Sequence, residues 1–172
     1  EGSNSEGNTA LLLSVMRRNI GLTEFLLKKK ANLEVKNAER KTAFYVAVEN
    51  DNTEMANLLL RYGGNPAFIC DLTQVSSLHL VAERGDSKML GDLLQTKAIA
   101  MIDAQDARGN TPLHLAVQAG HEDIIFLLLK AEAYHKVKNL QEEIPLDLAK
   151  QKPIIASFML KTLRELKKIK LK

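Results

Sequence analysis

A chain of 172 residues with 45% hydrophobic and 26% charged side chains is long enough for one sizeable domain and too evenly charged to suggest disorder. Its net charge of +3, from 24 Lys+Arg against 21 Asp+Glu, gives a weak overall field and makes a nucleic-acid partner an unfavoured reading. No apolar run approaches the roughly eighteen residues that span a bilayer, the opening Glu1 to Gly7 lacks a basic and apolar signal pattern, and a single cysteine, Cys70, excludes an intramolecular disulfide and a cysteine-rich zinc site. These features predict a soluble protein of a reducing compartment, cytoplasmic and/or nuclear, and the absence of an initial Met suits a monomeric domain of a larger protein.

Taken in order, the chain repeats one pattern. Gly7-Asn8-Thr9-Ala10-Leu11-Leu12 leads to Phe25-Leu26-Leu27, and Lys41-Thr42-Ala43-Phe44-Tyr45-Val46 leads to Met55-Ala56-Asn57-Leu58-Leu59-Leu60. A third copy runs from Val75-Ser76-Ser77-Leu78-His79 to Met89-Leu90 and Leu93-Leu94. The fourth is the clearest, Gly109-Asn110-Thr111-Pro112-Leu113-His114-Leu115-Ala116-Val117. There a hydroxyl able to accept an orphan N–H precedes a ring already fixed near helical φ, so a helix starts at Pro112. Leu113, Ala116 and Val117 share one face, Ala119-Gly120 breaks the helix, and a second helix follows over 123–130. Ile144-Pro145-Leu146-Asp147 opens a fifth copy. The helix-start residues Thr9, Thr42, Ser76, Thr111 and Ile144 are 33, 34, 35 and 33 positions apart, which defines a repeat array.

The Thr-Pro-Leu-His run at Thr111-Pro112-Leu113-His114, with Asp106, Gly109, Gly120-His121 and Leu127-Leu128-Leu129 in phase, resembles the ankyrin repeat. The resemblance covers nearly the whole chain, with repeats at about 4–36, 37–70, 71–105, 106–138 and 139–172 in a single domain. It implies an all-α solenoid of stacked antiparallel helix pairs, L-shaped, with β-hairpin-like loops projecting at one edge. Elementary energetics agrees with stacking. Ordering a repeat of this length costs about 1 to 2 kcal/mol per residue, while each of its six or so large apolar side chains returns only about 1.5 to 3 kcal/mol. A lone repeat is unstable, and neighbours must share the burial.

Departures from the pattern carry their own expectations. The family commonly ends the second helix with Gly. Gly63 keeps that place, whereas Lys30, Lys97 and Glu132 replace it elsewhere, which predicts less well defined ends. Two additional residues lengthen the return loop in the stretch Lys97 to Gln105. Phe68-Ile69-Cys70 is apolar for a loop and is read as packing under the array, the alternative being an exposed adhesive finger. From Pro153 one longer helix is predicted, with Ile155, Phe158, Met159, Leu163 and Leu166 on its buried stripe, as a closing cap. Its basic end, Lys161, Arg164, Lys167, Lys168, Lys170 and Lys172, is read as a solvated face, with contact to an acidic protein segment, nucleic acid or an anionic membrane as the alternative.

Catalytic patterns are missing from the sequence. It has no His-x-x-x-His pair, Gly-x-Ser-x-Gly elbow or phosphate-binding Gly-rich loop. The resemblance assigns His79 and His114 to tying loop to helix, and His121 sits at an interhelical turn. Asp103 with Asp106, and Glu142 with Glu143, read as turn and capping chemistry. Neither an enzyme nor a cofactor is expected. By the family's pattern, the binding surface consists of loop tips and the exposed face of each first helix: Met16 and Arg17; Glu39, Lys41, Glu49 and Asn50; Thr73, Val75, Glu83 and Arg84; Arg108, Asn110 and Gln118. The expected function is non-catalytic binding of a peptide or folded protein partner, as an adaptor or scaffold. The alternatives are a methyl-lysine histone-peptide reader, which needs an aromatic cage and has only Tyr45 nearby, and a structural spacer.

Overall fold

The computed structural model describes residues 2–170, and their contacts cluster into two compact units, Glu1–Thr73 and Gln74–Lys172. Lys172 and the side chain of Lys170, both in the predicted basic end, lie outside the described residues. Among the described residues every regular element is helical. Among those residues the β-type backbone pairing is an isolated bridge between Ser3 and Thr9.

In the first unit α1 (Ala10–Met16) pairs with α2 (Ile20–Lys28), α3 (Ala43–Glu49) pairs with α4 (Thr53–Arg61), and α1 stacks on α3. Each first helix starts at a hydroxyl: Thr9 Oγ1 accepts from the Leu12 N–H at 3.3 Å and Thr42 Oγ1 from the Tyr45 N–H at 3.4 Å. The second helices start at Asn19 and Asn52, whose side-chain carbonyls accept from Leu22 and Met55. The core of the unit is Leu11, Leu12, Val15, Leu27, Phe44, Val46, Val48, Met55, Leu58 and Leu59. Phe68 and Cys70 are buried too, and the Phe68 ring meets Tyr45 edge-on at 5.6 Å. The apolar loop therefore packs inward, and the finger alternative is set aside.

In the second unit α5 (Ser77–Arg84) pairs with α6 (Ser87–Leu94), α7 (Pro112–Ala119) pairs with α8 (Glu122–Lys130), and α7 stacks on both α5 and α9 (Pro145–Leu148). The long α10 (Pro153–Lys170) lies on α8 through Ile155 and Met159, with Thr162 as a further buried position. The longer return loop after α6 is not irregular. Thr96 Oγ1 accepts from Ala98 and opens a short 3₁₀ turn, Lys97–Met101, that buries Ala98.

The helix ends correct one expectation. Lys30 and Glu132 adopt left-handed conformations, φ +61° and +71°, beside Gly63 at +92°. The backbone bonds around them are the same as at Gly63: Lys30 N–H to Leu27 and Ala31 N–H to Leu26, Glu132 N–H to Leu129 and Ala133 N–H to Leu128. Paired terminal carbonyls, with Ala31 half-buried and Ala133 buried just beyond, offset the strain of a side chain at positive φ, so these ends are as well defined as the glycine one. Lys97 takes no such part, because it begins the 3₁₀ turn.

The loops between helix pairs share one geometry. Asn37 N–H donates to Lys41 O, Asp106 N–H to Asn110 O and Asn139 N–H to Glu143 O, each loop closing through a left-handed residue, Arg40, Gly109 or Glu142. Neighbouring loops join through the backbone, Ala38 N–H to Glu6 O in the first unit and Leu140 N–H to Arg108 O in the second, both at 3.0 Å. Positive φ alone does not require glycine here, since Arg40 and Glu142 tolerate it. Close approach does: a Cβ on Gly109 would stand 2.7 Å from the Leu140 nitrogen. Gly109→Ala is accordingly expected to cost about 1–3 kcal/mol in urea unfolding, whereas Glu142→Gly, at the exposed equivalent, shifts stability by less than about 1 kcal/mol.

Candidate partner-binding surface

The polar groups at the helix starts are occupied by the fold. In α5 the His79 Nδ1 accepts from the Ser76 N–H at 3.2 Å and lies 2.8 Å from Ser76 Oγ, while Nε2 reaches the Asn110 carbonyl at 2.9 Å. His114 repeats this in α7: Nδ1 accepts from the Thr111 N–H at 3.0 Å, and Nε2 reaches the Glu143 carbonyl at 3.0 Å. With Nδ1 as acceptor, the proton sits on Nε2 and is donated to the next loop. Both rings are buried, and burial pushes both below the ordinary histidine range. In α9, where Ile144 offers no hydroxyl, Asp147 takes over by accepting from the Ile144 N–H at 3.0 Å, which holds its carboxyl low. His121 Nε2 lies 3.0 Å from the Glu83 carbonyl at the end of α5.

The acid pairs noted in the sequence resolve likewise. Asp106 Oδ1 accepts from Arg108 and Asn110 inside its loop, and Asp103 Oδ1 accepts from the Tyr134 N–H. No group of three or more His, Cys, Asp or Glu among the described residues is arranged to hold a metal ion.

In the first unit, Met16, Glu39, Lys41, Glu49 and Asn50 come together around a concavity of about 610 Å³. Lys41 is its centre. The ammonium lies 2.7 Å from Glu39 and 2.8 Å from Glu49, with 17% of the side chain exposed. Burial opposes the charge, but the bonds to Glu39 and Glu49 outweigh it and hold the ammonium well above the usual lysine range. Glu6, Asn8 and Asn37 also line the concavity. The sequence reasoning missed them, although Asn8 stands at the position of Lys41 and Asn110, one residue before the helix-start hydroxyl. Arg17 is exposed as the cap of α1, and Thr73 is exposed and bonded to the Tyr45 hydroxyl. Tyr45 itself is 2% exposed, its hydroxyl pushed up to about 12 by burial and then by Glu49. Its ring forms no wall of the concavity, so it cannot serve the aromatic cage that a quaternary cation requires.

In the second unit Glu83 and Arg84 end α5 on the surface, Arg108 is an exposed loop tip, and Gln118 is exposed near the end of α7, its carbonyl accepting from Lys152. Val75 is half-buried before Ser76. Asn110 requires correction as a surface contact. It is 6% exposed, its side-chain carbonyl accepts from Asn139 Nδ2 at 3.0 Å, and its main-chain carbonyl accepts from His79. It fastens one loop to the next and is spent.

A chain of paired helices with phased capping histidines and joined loops is a helical repeat protein. Comparison with known proteins makes the class specific: the family model described as ankyrin repeats (3 copies) matches residues 1–69 and 63–141, and the chain belongs to that family. It is 42% identical over 87 residues to mouse (Mus musculus) ankyrin repeat domain-containing protein 13C, covering 49% of this chain and 16% of that protein. It is 27% identical over 143 residues to human (Homo sapiens) inversin, covering 83% of this chain and 13% of inversin. The chain thus spans less than a fifth of the length of these relatives. A solved chain from the complex of the Bd0816 predatory endopeptidase of Bdellovibrio bacteriovorus with immunity protein Bd3460 superposes with a TM-score of 0.83 at 29% identity, over 93% of this chain and 83% of that one. Proteins of this family are generally protein-interaction modules.

The two buried imidazoles make a pH prediction with a definite sign. Their folded values lie below the unfolded value of about 6.5, so the unfolded state binds more protons and stability falls as pH drops below about 6.5. Urea midpoints between pH 7.5 and 5 are expected to decline along that course, and the decline should shrink in the His79→Gln, His114→Gln double variant.

Proposed function

We propose that this chain is a non-catalytic interaction module, an adaptor or scaffold segment that holds a peptide or a folded protein partner on its loop tips and first-helix ends. The observation that carries the reading is the first-unit concavity, where Lys41 is fixed between Glu39 and Glu49 beside the exposed thioether of Met16. Charges already held in place lose little side-chain freedom on binding, and a mixed-sign surface gives register and selectivity more than bulk affinity. Exposed Glu83, Arg84, Arg108 and Gln118 supply the same kind of chemistry in the second unit. Both signature histidines are buried and engaged in loop fastening, which suits a scaffold role for them better than an acid–base one. Family membership and a structural neighbour from a protein–protein complex point the same way. We place the module in the cytoplasm or nucleus, as a monomeric part of a longer protein.

The test is affinity capture from cell extract with the wild-type chain and the Glu49→Lys, Arg84→Glu double variant. Loss of the captured partner, with helical circular dichroism unchanged and a melting temperature within a few degrees of wild type, is the expected outcome. Capture that survives the double charge reversal would refute the assignment of these residues.

A further inference from the structure

The C-terminal part of the second unit carries a feature separate from the loop-tip surface. Two clefts, of about 310 Å³ and 370 Å³, flank α10 where it passes the connector between α8 and α9. They are divided by His135, Leu163 and Lys167, which line both. One has Ile144, Leu146 and Leu160 in its wall, and the other has Leu129, Ala133 and Leu166. Burial first, then Lys136 and Lys167, push His135 below its ordinary value, so the dividing ring is uncharged at neutral pH and the clefts keep apolar walls.

Cations stand at their mouths. Lys136 and Arg164 line the first cleft and Lys167 lines both, and all three are exposed. The opposing acids are few: Glu132 lines the second cleft, and Glu165 falls on the far side of α10, roughly 100° per residue around the helix. By the same geometry Leu160, Leu163, Arg164 and Lys167 share a sector of about 100°, which puts apolar grip and positive charge on one face. The exposed aliphatics of α10 do not extend this face into a membrane-lying stripe, because Leu160 and Ile169 sit about 180° apart. Two separate clefts also suit two side chains better than one continuous acyl chain.

We propose that this face binds a short acidic segment of a partner protein, seating two aliphatic side chains in the clefts while flanking carboxylates meet Lys136, Arg164 and Lys167. Apolar seating provides the affinity, and the cations select an acidic segment over a neutral one.

The probe is a fluorescein-labelled peptide of about a dozen residues, with two leucines a helical turn apart among glutamates. The protein is the full chain, titrated by fluorescence anisotropy. Saturable binding is expected, weakening about tenfold for Arg164→Glu with Lys167→Glu, about tenfold when serine replaces the peptide leucines, and progressively with added salt. Circular dichroism should show the Arg164→Glu, Lys167→Glu double variant folded, since both altered side chains are exposed. Glu49→Lys serves as the control and should bind the peptide as wild type does. Four outcomes overturn the proposal: no saturable signal, equal binding of the leucine-free peptide, loss of binding in Glu49→Lys, or co-sedimentation with phosphatidylserine vesicles in place of peptide binding.

Discussion

A neutral imidazole that accepts with one nitrogen and donates with the other is the interaction on which the second unit depends. His79 and His114 each close the start of their own helix and hold a carbonyl of the following loop, at 2.9 and 3.0 Å. Such a group couples local folding to stacking, because Nδ1 bonds within its own helix start while Nε2 finds its acceptor only when the next loop is in place. Buried acceptors left unpaired would cost about 1–3 kcal/mol each, so the arrangement penalises a half-formed stack. The requirement for neutrality follows from the same geometry, since a protonated Nδ1 could no longer accept from the Ser76 or Thr111 N–H.

Around that fastening, the loops repeat one hydrogen-bonded form whatever residue occupies the left-handed position. Arg40, Gly109 and Glu142 all take it, at φ +60°, +77° and +62°. What differs is the neighbour: only where another loop's backbone presses within 2.7 Å does the side chain have to vanish. The same logic explains Lys30 and Glu132 at helix ends, where paired carbonyls outweigh the moderate strain of a left-handed side chain. Backbone pairing, more than residue preference, sets these conformations.

Histidines, helix-start hydroxyls and loop amides are engaged in holding the scaffold, so the proposed partner contacts fall to polar groups outside that network. Lys41 held between Glu39 and Glu49 is one such set, and Lys136, Arg164 and Lys167 beside apolar clefts are another. The two surfaces differ in chemistry. The first is a cluster of one ammonium and two carboxylates, and the second joins positive charge to apolar depth.

The helix pairs were legible in the sequence because their signals are local. A hydroxyl followed by apolar residues at helical spacing, phased from Thr9 to Thr111, specifies helix starts with no knowledge of what packs where. The family and the all-α architecture follow from that phasing. Asn110 shows where such reading stops: alignment placed it among surface contacts, and burial against Asn139 and His79 made it part of the scaffold. Asn8, Asn37 and Glu6 entered the concavity for the opposite reason, since repeat phase can mark a position such as that of Asn8 but says nothing of which loop residues close on one another in space. The burial of Tyr45 beneath Phe68, which removes the ring from the surface, and the clefts beside α10 were likewise decided only by packing. Short-range hydrogen bonding and periodicity are written along the chain, whereas exposure is a property of neighbours brought together by folding, and the surfaces open to a partner are set there.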